Sequence, residues 1–261
     1  MIFGNAAWGF RETPLEKQFE ITAEMGLSVL EAGIANAPGD IQIGDDAGRV
    51  QSLCEKYGVS VECAATGNDF TNGQRDDVDK VKNVIDMCEA LGVKYLRIFA
   101  GFSPKASVYG ARWDNMVRCL NEVYDYAKRV TLTVETHGGV CEYDDGVEHF
   151  ESVTTNIDAL SALIEDVPKI RFNFDAANLC AAGSDYEKVY AVIRDRTEVF
   201  HLKDFTKLAS GHIKPCACGE GSVRFDKFSD FNGIALFEYE NTADIASGLK
   251  RSYEYMKELL R

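Results

Sequence analysis

Hydrophobic and polar residues follow two periods that take turns along this chain. Short runs such as 28–33 (SVLEAG), 59–64 (VSVECA), 95–100 (YLRIFA) and 131–136 (TLTVET) are rich in β-branched and apolar residues and bounded by turn formers, as buried strands are. Between them lie longer stretches with apolar residues at three- and four-residue steps. The clearest is 76–91, where Val78, Val81, Ile85, Cys88 and Leu91 share one helical face and Gly92 closes it. The same reading predicts further strands at 2–8, 170–174, 198–202 and 234–238. It predicts helices at 14–26, about 45–57, 113–130, 155–165, 186–194 and about 243–260. The first of these carries Thr13 as cap, Pro14 at its first position and Gly26 at its end. Residues 207–233 break the alternation and leave room only for a short helix near 225–231.

Eight strands interleaved with helices predict an α/β chain folded as a single (β/α)8 TIM barrel over 1–261, with a shortened or irregular seventh helix. The length would also admit two domains, but no repeat, low-complexity tract or linker divides the chain. A doubly wound open sheet would need a glycine-rich phosphate turn after the first strand, and residues 5–9 (NAAWG) supply none.

In such a barrel, chemistry gathers at the C-terminal ends of the strands. Residues 171–179 (RFNFDAANL) begin as a strand and deliver Asp175 where it should open into a loop. Glu135, His201 and Glu238 hold similar positions on the fifth, seventh and eighth predicted strands. A lone strand-end carboxylate is more often a helix cap or a salt-bridge partner. Three carboxylates and an imidazole on four successive strands instead suggest a mixed oxygen and nitrogen cage for a divalent metal.

Composition narrows the partners. The formal charge is 28 − 42 = −14, which repels phosphate backbones and anionic membranes and argues against nucleic acid or membrane binding. The first residues, MIFGNAAWGF, lack the basic region and apolar run of a signal peptide, so a cytoplasmic location is expected. Cys54, Cys88 and Cys119 fall in helical patterns and Cys63 in a strand, as free thiols do. His212, Cys216 and Cys218 (HIKPCAC) lack the paired spacing of a structural zinc site.

The motifs Glu135 with His137 in VETHGG, Asp175 in FDAAN, His201 with Lys203 and Asp204 in FHLKD, Gly219 to Gly221 (GEG) and Glu238 in FEYE run through most of the chain. In order and spacing they resemble the sugar isomerase/epimerase superfamily of xylose-isomerase-like TIM barrels, which includes ketose epimerases, hydroxypyruvate isomerase and inosose dehydratases. The resemblance implies that Glu135, Asp175, His201 and Glu238 bind one divalent ion, manganese first, with magnesium, cobalt, iron or zinc as alternatives. It implies that Glu135 and Glu238 transfer protons. The activity implied is isomerisation or epimerisation of a keto sugar or related polyol through a metal-bound enediolate; loss of a β-substituent after the same first step would make the protein a lyase, such as an inosose dehydratase or a keto-glycoside-eliminating enzyme. Homo-oligomers are common among such proteins, and nothing in the sequence locates an interface.

Substrate contacts are expected from His137, Lys203, Trp8 and Asn178. Trp8 has the apolar face that stacks on sugars. Asn178 stands where many members carry a histidine, and Lys207 replaces a common arginine. Glu31, Glu62 and Arg97 are expected as interior ion pairs, and His149 and His212 as loop residues without a role. With only Arg97, Lys203 and Lys105 as cations near the predicted mouth and another acid in GEG, a neutral sugar or polyol is favoured over a sugar phosphate. Two further readings are an apurinic endonuclease, which would want a histidine-rich three-metal cluster that four histidines hardly supply, and a non-catalytic sugar-binding barrel.

Overall fold

The computed structural model describes residues 1–72 and 75–260. Its strands, in chain order, are β1 (Ile2–Asn5), β2 (Val29–Gly33), β3 (Ser60–Ala65), β4 (Tyr95–Ile98), β5 (Thr131–Glu135), β6 (Gly139–Tyr143), β7 (Gly146–Phe150), β8 (Phe172–Asp175), β9 (Thr197–Leu202), β10 (Asp204–Lys207), β11 (Ile213–Cys216) and β12 (Ile234–Phe237). Eight of them close a parallel barrel in the order β1-β12-β9-β8-β5-β4-β3-β2. Closure is made by β1, which pairs Ile2 with Ile234 on one side and Gly4 with Val29 on the other. Every residue of β2, β8 and β12 is buried, as expected of parallel strands covered on both faces.

The helices are α1 (Leu15–Glu24), α2 (Ala47–Tyr57), α3 (Asp76–Leu91), α4 (Ala111–Tyr126), α5 (Ile157–Asp166), α6 (Ala176–Ala181), α7 (Tyr186–Ile193) and α8 (Ile245–Leu259). The α3 bounds are those the apolar periodicity predicts, and Gly92 ends the helix at φ +73°, a conformation that costs other residues a Cβ clash. The start of α1 differs by one position from expectation. Pro14, at ψ 143°, is the cap itself, and the Thr13 backbone carbonyl accepts a hydrogen bond from the Gln18 side chain. None of the described helices is long and apolar enough to cross a membrane.

The seventh unit departs most from the ideal. Between β9 and β12 the chain builds no α-helix but a β10–β11 hairpin and a 3-10 turn, Phe225–Phe228. Aromatic packing fills the gap on the outer wall. Phe231 stacks on Phe200 with ring centres 3.9 Å apart, and Phe228 meets Phe174 at 5.1 Å and Tyr190 at 5.2 Å.

Asp204 explains why the HLKD and GEG segments occur together. Its carboxylate accepts backbone N–H groups from Phe205, Gly219, Gly221, Ser222 and Val223 at 2.8 to 3.1 Å. A Cβ on Gly221 would lie 2.3 Å from the same carboxylate, so only glycine lets the loop wrap this closely. These segments fix the loop rather than place an acid at the mouth, because Glu220 faces outward to Arg251 at 2.8 Å.

Two segments read as loops are hairpins. β6 with β7 and β10 with β11 combine into an antiparallel sheet in the order β10-β11-β7-β6, at the C-terminal end of the barrel. The hairpins share a single residue pair, Ile213 with Val147. A side-chain clasp reinforces it: His212 Nδ1 lies 2.5 Å from Asp145 Oδ1, and the Tyr143 ring stacks on His212 at 4.1 Å. His212 is thus committed to Asp145, while the Cys218 thiol donates to the Leu202 carbonyl at 3.3 Å; all eight cysteines are free.

Candidate metal centre and substrate cavity

Glu135 ends β5, Asp175 ends β8, His201 lies one residue before the end of β9, and Glu238 follows β12 directly. Parallel register brings neighbouring strand ends level, and Asp175 sits opposite His201 across the β8–β9 pair. Ligand atoms from all four side chains lie within 4.8 Å of one another, and all four residues are buried. Asp175 Oδ2, His201 Nδ1 and Glu238 Oε2 have no hydrogen-bond partner although each is shut away from solvent. His201 Nδ1 and Glu238 Oε2 are 3.2 Å apart, yet not aligned for a hydrogen bond. Unpaired buried polar atoms are costly, and three aimed at one point make a donor set that suits a divalent cation.

Glu238 Oε1 apart, the remaining donor atoms of the cluster are held from outside. Asp175 Oδ1 caps α6 by accepting the Asn178 N–H at 2.8 Å. Glu135 Oε1 accepts from Asn178 Nδ2 at 2.8 Å, and its Oε2 lies 3.1 Å from Arg97 Nε. His201 turns Nδ1 to the cluster and Nε2 to Glu31 Oε1, 3.3 Å away. Glu31 also accepts the Ala7 N–H at 3.0 Å, which fixes it against the ring. A carboxylate behind an imidazole is the arrangement that orients histidine ligands to metals.

These contacts set the charges. Burial alone would raise the Glu135 carboxyl, but Arg97 and His201 outweigh it and hold it below its ordinary value. For Glu238, burial is outweighed more heavily, by His201 and Lys203, and the carboxylate stays well below the usual range. Asp175 goes the other way. Burial, with Glu238 and Glu135 close by, overrides Lys203 and pushes its carboxyl up to about 8. Burial opposes protonation of His201, yet Glu238 and Glu31 hold its imidazole well above the ordinary value.

Above the cluster opens a cavity of about 430 Å³. Trp8, His137 and Lys203 line it, as expected of substrate contacts, and Trp8 carries the Arg11 guanidinium 5.1 Å from its ring centre. Asn178 does not line it. The Asn178 side chain is fully buried, with its Nδ2 on Glu135 and its Oδ1 accepting from Lys203 Nζ at 3.0 Å. The expectation that Asn178 touches substrate therefore meets an amide already engaged on both sides. Lys203 also donates to Glu240 Oε1 at 2.7 Å; burial disfavours its charge, but Glu240, Glu238 and Asp175 keep the ammonium protonated.

The lining cations are Arg11, Arg97 and Lys203, against Glu135, Glu142, Glu238 and Glu240; Lys105 and Lys207 are not among them. Sequence reasoning missed Glu142, Glu240 and His149 as lining residues and Glu31 as the partner of His201. Glu142 and His149 reach the cavity only through the β6–β7 hairpin, whose one signal was the turn DDG between two short alternating runs. His137 packs edge-on against Phe99 and Phe102, and its ring centre is 5.6 Å from that of His149. Burial pushes the His137 imidazole below its ordinary value; burial, Lys203 and His137 push His149 down to about 3.

A closed parallel barrel with a buried carboxylate and histidine cluster under its C-terminal mouth defines a (β/α)8 barrel able to hold a metal ion there. The chain belongs to the xylose isomerase-like TIM barrel family, whose model matches residues 19–259. No curated protein matches the sequence. Among solved structures it is similar to the probable 3-DHS dehydratase AsbF from Bacillus anthracis, at 15% identity over 98% of this chain and 99% of that one, with a TM-score of 0.77. It is similar to the D-allulose 3-epimerase from Methylomonas sp. in complex with D-allulose, at 17% identity over 99% and 96% of the two chains, TM-score 0.76. It is also similar to the IOLI protein with a bound zinc atom, at 13% identity over 100% and 98%, TM-score 0.78.

Proposed function

We propose that the protein is a divalent-metal-dependent isomerase or epimerase of a keto sugar or related polyol. The observation that carries this reading is the convergence of Asp175 Oδ2, His201 Nδ1 and Glu238 Oε2, buried and unpaired, beside two glutamates held ionised. Glu135, Asp175, His201 and Glu238 are the ligands. Bound there, a divalent ion, manganese in the first instance, supplies Lewis-acid polarisation of the substrate carbonyl and so acidifies the neighbouring C–H.

Glu135 and Glu238 are the proton-transfer pair. Glu135 ends β5 and Glu238 directly follows β12, strands separated in the barrel by β8 and β9, so the two approach the cavity from different sides. One removes the carbon-bound proton and the other returns it. Lys203, protonated, donates to a substrate oxygen, His137 binds a hydroxyl, and Trp8 covers an apolar sugar face. Asn178 acts from behind, holding Glu135 and Lys203 in register. A neutral substrate fits better than a phosphate, because Arg97 and Lys203 already face carboxylates at 3.1 and 2.7 Å.

The test is exchange of the substrate C–H proton in deuterated water, followed by NMR over a panel of ketohexoses with manganese or magnesium supplied. Glu238→Gln should lose at least about a hundredfold in exchange rate. Full turnover by that variant with metal bound would overturn the acid/base assignment. Isomers of equal composition support isomerisation or epimerisation, whereas release of water or an aglycone makes the same site a lyase.

A further inference from the structure

Two imidazoles share one wall of the cavity, and their surroundings fix them in opposite tautomers. His137 Nδ1 lies 2.5 Å from the Gly138 carbonyl oxygen, which can only accept, so Nδ1 carries the proton. Its Nε2 is then a bare acceptor. His149 Nδ1 is shut away from solvent with no partner of any kind. A buried N–H without an acceptor is rarer and costlier than an idle lone pair, so this nitrogen is the unprotonated one and the proton sits on Nε2. Both residues line the cavity, and among the described residues no group is hydrogen-bonded to Nε2 of either ring. Lys203 lines the same cavity.

From this pairing, and resting on the sugar reading above, we infer that His137 and His149 form a subsite for two neighbouring hydroxyl groups of a neutral polyol, His137 accepting from one and His149 donating to the other. The ring centres lie 5.6 Å apart with planes tilted by 32°, so the two imidazoles are neighbours on the cavity wall. A diol matches an acceptor and a donor at once because each hydroxyl can do either. A phosphate or carboxylate oxygen has no proton to offer His137 and would leave it facing an anion. The subsite therefore selects hydroxyls over anions, and His149, on the hairpin over the mouth, is its specificity-determining member.

The test uses the magnesium-loaded protein, which is diamagnetic, with nitrogen-15 in its histidines. At pH 7 the two rings, assigned by loss of signal in His137→Gln and His149→Gln, should report opposite tautomers, and both Nε2 resonances should move when D-allulose, D-fructose or D-tagatose binds. Calorimetry on the tightest of these sugars gives the second readout. His149→Leu should weaken it about tenfold, the loss of one hydrogen bond that leaves a hydroxyl unpaired. His149→Gln, which keeps an N–H near the Nε2 position, should recover most of that loss, and magnesium affinity should not change in either variant. Identical tautomers, an unchanged sugar affinity in His149→Leu, or equal losses in the Leu and Gln variants would overturn the subsite while leaving the sugar reading in place. Magnesium-loaded protein that binds none of the three ketohexoses would remove the sugar reading, and the subsite with it.

Discussion

Metal loading should be a proton-releasing event whose strength grows with pH. In the metal-free cluster Asp175 titrates at about 8, so at pH 7 it is roughly nine-tenths protonated. His201 is held well above its ordinary value and carries a proton as well. A cation needs both as bare ligands and must displace about two protons. Below pH 8, the logarithm of metal affinity should therefore rise by up to about two per pH unit; above it the Asp175 share is spent and only the His201 proton still adds to the slope. Removing the Asp175 proton at pH 7 costs one pH unit, about 1.4 kcal/mol, or tenfold in affinity. The metal-free fold should show the converse. From the ordinary aspartate value of 3.8 up to about 8, the folded chain keeps a proton that the unfolded chain has lost, so its stability falls as pH rises across that window. The raised His201 acts in the same direction above its ordinary value of 6.5. Titration calorimetry with manganese in buffers of differing ionisation enthalpy, between pH 6.5 and 9, measures the proton count directly. Affinity independent of pH from 6.5 to 8, or no buffer-dependent heat, would refute the account of the cluster.

Two further outcomes follow from the packing. Glu31→Gln leaves His201 without its carboxylate partner and should weaken metal binding by about 10- to 100-fold, seen in the same calorimetry, while saturating metal restores turnover. Phe200→Ala removes the ring that Phe231 stacks on and opens a hole where a seventh helix would stand; chemical denaturation should show a loss of about 3 to 5 kcal/mol, and a loss under 1 would mean that the aromatic cluster is not what seals that wall.

The barrel was legible because each strand and helix of a parallel α/β ring declares itself locally, one by its apolar run and the other by its three- and four-residue steps. Asp175 and Glu135 could be placed for the same reason: they end strands, and strand ends of a barrel share a mouth. What escaped depends on pairing between distant segments. Pro215 sits in β11, where proline argues against a strand, and only pairing with β10 reveals it. His149 looked idle because nothing near it in sequence says that its hairpin folds over the cavity. The place of Asn178 outside the cavity lining was hidden for a similar reason. Its position three residues after Asp175 suggested the cavity, but that spacing on a short helix instead turns it toward Glu135 and Lys203.

The two hairpins over the mouth share one strand-paired position, Ile213 with Val147, beside a side-chain clasp, and they grow from separate turns of the barrel. Val140, Glu142, Val147 and His149 come from that canopy, whereas Glu135 ends β5 and Lys203 and Glu238 directly follow β9 and β12 beneath. On the function proposed above, remodelling the canopy should therefore change which molecule is admitted while leaving Glu135 and Glu238 in place.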